Sequence, residues 1–277
     1  SDANAAMTFG TAEGADDEIT DISVLGLLAG NVTTERGHLT LTVAGELTGT
    51  LDVAGDASIT ALAQVTNEMT IGGFGSLFGL GADSQSQIIA GSFGLTGANA
   101  VTDISVTAVD DVVVSAVAGL TGLVIDAGRD AGAIGLADAA AQVDITAGRD
   151  AAVTALAGLV DSSIAATTGD VVVLSFADVG GSGAPALTAT AGDLIDLTIL
   201  GGLTKGLLTA GNDIRLVVTG ALHDSDVIAT VGSVDAVVGQ SISLTPFVAV
   251  SDINLVAMGD VTADSALDAD GQIQLVG

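Results

Sequence analysis

The chain has no cysteine, tryptophan or tyrosine, only two prolines, and only five basic residues in 277 positions. Without cysteine there is neither a disulfide framework nor a thiolate metal site, so burial and backbone pairing have to supply the stability. With 2% aromatic residues, a core built from Ala, Val, Leu and Ile suits narrow, regularly layered interiors better than an irregular globule. The basic residues, Arg36, Arg129, Arg149, Lys205 and Arg215, stand against 34 acids, a formal charge of −29. Nucleic acid and anionic membrane surfaces are held through Lys and Arg, so neither is an expected partner. Ser1-Asp2-Ala3-Asn4-Ala5-Ala6 lacks the basic start and apolar run of a secretory leader. It reads as a mature terminus after processing or as a cut boundary. The stretch 69–102 has Asp83 as its one charge but is crowded with Gly, Ser and Gln, so membrane insertion is not expected.

What the chain does have is a period. A small residue and Gly followed closely by Asp recurs as Ala127-Gly128-Arg129-Asp130, Ala147-Gly148-Arg149-Asp150, Thr168-Gly169-Asp170, Ala191-Gly192-Asp193 and Ala210-Gly211-Asn212-Asp213. With Asp110 upstream, the acids step by about 20 residues, apart from one longer step that contains Gly180-Gly181-Ser182-Gly183-Ala184-Pro185. Ser251-Asp252 and Gln272 continue the phase.

Aligned on glycine, the residues five, three and one positions earlier are almost all apolar: Val143, Ile145 and Ala147; Ile164, Ala166 and Thr168; Val227, Ala229 and Val231. The position two before is polar, Thr146, Thr167, Thr190, Thr209 and Thr230, which reads as an ordinary β ladder. Alternation with period two predicts strands with one buried face. Six residues after each Asp, Leu136, Leu156, Phe176, Ile199 and Met258 form a bulky column whose face the pattern leaves open.

A period too small to bury its own face predicts an all-β fold, a parallel β-solenoid (β-helix) of ~20-residue coils with two strands and two turns each. About eight coils from Asp110 onward, ~4.8 Å apart, would make a rod roughly 40 Å long. The expected organisation is 1–37 as an N-terminal arm or cap, open to donation to a neighbour, and 38–68 as the first coils. A Gly/Phe-rich insertion or irregular coils would occupy 69–102, and regular solenoid 103–277.

The turns Ala127–Asp130 and Ala147–Asp150, the latter preceded by Asp144-Ile145-Thr146, resemble the repeats of large bacterial surface adhesins of the filamentous haemagglutinin type, over about 103–277. The resemblance implies secretion to the cell surface and a role in adhesion or matrix assembly. No Asn-Pro-Asn-Gly secretion signature occurs in the chain.

Stacked like charges repel unless hydrogen-bonded, screened or bridged. Turn capping is the expected role of the Asp column, with Asp110, Asp130, Asp150 and Asp170 as calcium candidates and no other cofactor required. Arg129 and Arg149 are expected to form ion pairs with neighbouring acids. His38 and His223 are isolated and read as solvated loop residues, and no nucleophile or phosphate-loop motif occurs.

Contacts with a partner are expected at Phe74, Phe78 and Phe93, and at the C-terminal residues Ile273 and Leu275, where an uncapped coil would invite a further strand. The expected function is an extracellular structural protein rather than an enzyme: a homo-oligomer or head-to-tail filament subunit of a surface or biofilm matrix. An adhesin segment binding a surface or glycan ligand is the second reading, and a polysaccharide-active enzyme the third.

Overall fold

The computed structural model describes residues 3–4, 7–9, 19–35, 37–79, 85–97, 99–183, 185–262 and 264–277. Every regular element among them is a β-strand, and consecutive coils pair in parallel as a β-solenoid. The chain divides into two compact units, 1–131 and 132–277.

In the first unit the early coils have two strands. Ile19–Val24 pairs with His38–Val43, which pairs with Ala57–Ala61; Leu28–Thr34 pairs with Leu47–Val53, which pairs with the start of Val65–Gly79. Leu41 lies over Ile22 and Ile59 over Leu41, so these coils are one or two residues shorter than the predicted period. The backbone of Ala3–Asn4 and Met7–Phe9 also pairs with Leu28–Thr34. The expected arm over 1–37 is therefore corrected: 19–35 are already coil, and 10–18 lie outside the described residues.

Of the two expectations for 69–102, the described residues are irregular coils rather than an insertion. Val65–Gly79 and Gln85–Gly97 stack on the coils before them, with one register shift between Ile71 and Phe74. Their inward positions, Met69, Ile71, Leu77, Ile88, Phe93 and Leu95, are buried like those of any other coil.

From Val101 onward each coil gains a third strand of about two residues, as in Val101–Thr102 under Leu120–Thr121, so the two-strand expectation fails beyond that point. The second unit shows the three-strand coil as far as Ile242–Ser243, with an isolated bridge at Val261 in the next coil. Its core holds a column from each of the three strands, among others: Ile164, Ala189, Leu208, Val227 and Phe247; Val173, Leu197, Leu216, Ala236 and Leu255; and Leu159, Val179, Leu203, Leu222 and Ile242. All are buried. Such burial is worth about 1.5–3 kcal/mol for each large aliphatic side chain. The narrow cross-section explains the scarcity of rings, since each column accepts side chains from only one position per coil.

After the short strand the backbone turns through the left-handed region at Gln142, Asp161, Lys205, Asp224 and Leu244. Aspartate tolerates that conformation better than most residues, whereas Leu and Lys adopt it at a steric cost that the packed coils hold in place.

The turn between the two longer strands comes in two lengths, which alignment on glycine merges. It has three residues in Gly148-Arg149-Asp150 and Gly211-Asn212-Asp213, but four in 167–170 and 230–233. Thr168 and Val231, expected on the buried face, are therefore exposed turn residues. Thr167 and Thr230 also leave the threonine column, and the true neighbours run Thr146, Ala165, Thr190, Thr209, Ile228. The bulky column resolves in the same way. Leu136, Leu156, Phe176 and Met258 are exposed, whereas Ile199 is core and Leu200 takes the outer place.

One core position stands out. Asn67 faces inward at 5% exposure, yet neither its Oδ1 nor its Nδ2 finds a hydrogen-bond partner in the protein. A buried amide left unpaired costs about 1–3 kcal/mol. Asn67→Val should therefore raise the denaturant midpoint, by an amount equivalent to about that energy. A lower midpoint would contradict this account of the position.

Candidate functional site

The acids of the repeat work between coils, and the geometry shows how. The residue just before the second long strand directs its side chain to the turn of the following coil and accepts that turn's last amide hydrogen. Asp150 Oδ1 accepts from Asp170 N–H at 3.0 Å, Asp170 Oδ1 from Leu194 N–H at 3.1 Å, Asp213 Oδ1 from Ser233 N–H at 2.8 Å, and Asp252 Oδ1 from Gln272 N–H at 2.7 Å. In the first unit, Asp56 Oδ1 accepts from Phe74 N–H at 2.8 Å and Asp111 Oδ1 from Asp130 N–H at 3.3 Å. Hydrogen bonds to a carboxylate are stronger than neutral ones, which offsets the repulsion between acids in neighbouring coils. Leu194 and Ser233 interrupt the run within the second unit, so no more than two acids follow one another there.

This arrangement accounts for the glycine before the acid. A Cβ on Gly169 would lie 2.1 Å from Asp150 Oδ1, on Gly232 2.3 Å from Asp213 Oδ1, and on Gly73 2.2 Å from Asp56 Oδ1. The carboxylate of one coil fills the volume that a side chain in the next would need. A different glycine, at the first position of the three-residue turn, answers a different contact: a Cβ on Gly211 would meet the Gly192 carbonyl oxygen at 1.9 Å.

Of the four calcium candidates, Asp130, Asp150 and Asp170 occupy this position and Asp110 does not. Asp111 stands there instead, while Asp110 accepts Arg129 N–H through its backbone carbonyl. No group of three or more acidic, His or Cys side chains suited to a metal occurs among the described residues. Arg129 donates from Nε to Asp111 Oδ1 at 2.7 Å and from its terminal nitrogen to Oδ2. That hydrogen bond first, then the charge of Asp111, with lesser help from Asp110 and Asp130, hold the guanidinium above its ordinary range, while desolvation opposes them. Arg149 Nε lies 3.2 Å from Asp150 Oδ2. Both arginines are thus ion-paired within the chain.

A second inter-coil device escaped the sequence reading. Directly after the left-handed residue stands a buried hydroxyl, Ser162, Ser225 or Thr245. Each donates to the carbonyl two residues back, Val160, His223 or Ser243, at 2.9–3.0 Å. Ser162 and Ser225 also accept an amide hydrogen from the preceding coil, Val143 N–H at 3.2 Å and Gly206 N–H at 2.9 Å. The available signal was a Ser or Thr two residues after the short strands Leu159–Val160, Leu222–His223 and Ile242–Ser243, too common a residue type to be noticed.

The expected contact residues separate. Phe93 is core at 1% exposure, because it stands on the inward phase of its strand, so its assignment as a contact is corrected. Phe74 and Phe78 face outward, each 53% exposed. Ile273 and Leu275 are 47% and 49% exposed, although the residues they stack on, Ile253 and Leu255, are buried. The histidines lie in strands rather than loops. His38 opens its strand and accepts Asp56 N–H at Nδ1, 2.9 Å, and His223 Nδ1 lies 2.8 Å from Ser243 Oγ. Comparison with family models, curated proteins and solved structures yields no match.

The glycine–carboxylate pairing has a direct energetic signature. Gly73→Ala should destabilise the fold by about 1–3 kcal/mol through overpacking, and Asp56→Ala by roughly 0.5–1.5 kcal/mol through the lost hydrogen bond. In the double variant the glycine substitution should cost about 1 kcal/mol less than it does alone. Strict additivity in a denaturant-unfolding cycle would show that Asp56 is not what excludes a side chain at position 73.

Proposed function

We propose that the chain is an extracellular structural module that associates through the exposed edge of its coils, in the manner of a filament or surface-matrix subunit. The observation that supports this most is the coil of Leu267–Ala269 and Ile273–Val276. Ile273 and Leu275 occupy core columns yet are about half exposed, and their strand pairs with Ile253–Ala257 along one edge. Such an edge is a template for parallel or antiparallel addition of a further strand. A second observation points the same way. In the second unit, the outward column Leu174, Thr198, Val217, Val237 and Val256, with the corner residues Phe176 and Leu200, carries no charge, although the adjoining outward column holds Asp196, Arg215 and Asp235. The extracellular setting follows from the likeness of the Ala127–Asp130 and Ala147–Asp150 turns to secreted surface-protein repeats.

Purified protein should associate in a concentration-dependent manner, with fibres or stacked particles visible by electron microscopy. Ile273→Lys and Leu275→Lys together should shift sedimentation to monomer without loss of strand dichroism. Persistent monomer at high concentration, or association indifferent to both substitutions, would overturn the proposal.

A further inference from the structure

On a chain carrying 34 acids, one sheet face of the first unit has no charged residue across four neighbouring strands. Its outward positions are Thr40 and Thr42; Ser58 and Thr60; Phe74, Ser76 and Phe78; and Ser92, Gly94 and Thr96. Hydroxyls and aromatic rings alternate there, with Ser76 beside Ser58 and Phe78 beside Thr60. The two rings sit four residues apart on one strand, ~13 Å along it, both about half exposed. They account for two of the chain's six phenylalanines, in a protein that otherwise uses aromatic rings sparingly. Gly94 offers no side chain beside Phe74, whose Cζ would be 3.7 Å from a Cβ there.

At the Phe74 end the face dips into a groove of about 300 Å3, with His38, Asp56, Ser58 and Ser76 in its lining. The groove is held by the inter-coil bonds already described: His38 Nδ1 accepts Asp56 N–H, and Asp56 Oδ1 accepts Phe74 N–H. With Nδ1 acting as acceptor, the neutral imidazole carries its proton on Nε2. The second carboxylate oxygen, the imidazole N–H and the serine hydroxyls make a mixed donor and acceptor set beside an apolar ring.

We propose that this face binds a neutral oligosaccharide, with Phe74 and Phe78 as stacking platforms and the His38–Asp56 groove holding one sugar's hydroxyls. Pyranose rings present C–H faces that pack on aromatic rings and hydroxyl edges that match Ser, Thr and carboxylate partners. The net charge of −29 disfavours uronates and sialylated glycans. Among the described residues Asp56 is the only acid lining the groove, whereas glycoside hydrolysis ordinarily uses two carboxyl groups, so the proposed role is binding rather than cleavage. This reading stands apart from the assembly proposal and can fail or hold without it.

The test is saturation-transfer NMR with maltohexaose and cellohexaose, and with tri-galacturonate as the acidic comparison. Saturation transfer to at least one neutral hexasaccharide is expected. Its Kd should rise about tenfold on losing either ring in Phe74→Leu or Phe78→Leu, and binding should survive Phe74→Tyr. Both leucine variants stay apolar at an exposed position, and circular dichroism checks that each is folded. No transfer at millimolar sugar, equal binding by the Phe74→Leu/Phe78→Leu variant, or preference for the galacturonate would overturn the proposal. So would self-association that depends on the two rings without any sugar signal, which would assign the face to a second copy instead.

Discussion

The structure depends on one recurring interaction, the carboxylate that reaches from one coil to an amide in the turn of the next. A parallel ladder satisfies backbone groups inside strands, but turns leave amides that need other partners. An aspartate at a fixed position supplies an acceptor in most coils, and where a glycine stands above it the space stays open. Asp150 with Gly169 and Asp213 with Gly232 show the pair in its complete form. The contact recurs because a coil that receives it can offer it in turn, as Asp170 accepts from Leu194 N–H while donating its own N–H to Asp150. The Ser162 and Ser225 hydroxyls do comparable service at the opposite corner, facing the preceding coil. Together the two devices fix the register of neighbouring coils from both sides.

The fold class was legible because its two signals are physical necessities. Period-two alternation marks strands with one buried face, and a period of about twenty residues marks a coil too small to stand alone. The strand facing was legible wherever the turn kept its length, as at Ile145 and Ala147. It was lost at Thr168 and Val231, because glycine follows the carboxylate beneath it whereas the strand end follows the core. When the turn gains a residue these two constraints separate, and glycine ceases to mark the strand. The third strand escaped because two residues are too short to show alternation.

The candidate sites were legible in kind more than in position. Capping by acids could be anticipated from Asp at turns, yet Asp110 was chosen where Asp111 serves, since a step of 19 or 20 residues cannot be told apart without the register. Phe74, Phe78 and Phe93 looked alike in a Gly-rich stretch. Phe74 and Phe78 keep the outward phase that Met69 and Ile71 set on their strand, whereas the phase of Gln85–Gly97 slips between Ala90 and Phe93 and turns Phe93 inward. The uncharged hydroxyl face was invisible because its members come from strands some 18 residues apart, and each is unremarkable alone.

Amide hydrogen exchange, resolved residue by residue, tests the inter-coil carboxylate bond most directly. Asp170, Ser233 and Gln272 lie in turns, where amides ordinarily exchange fast, yet each donates to an aspartate of the coil beneath. The account predicts slow exchange at all three, and in Asp150→Ala a loss of protection centred on Asp170 that leaves Ser233 and Gln272 unchanged. Open-chain exchange rates at these amides in the native protein, or no local response to Asp150→Ala, would contradict it.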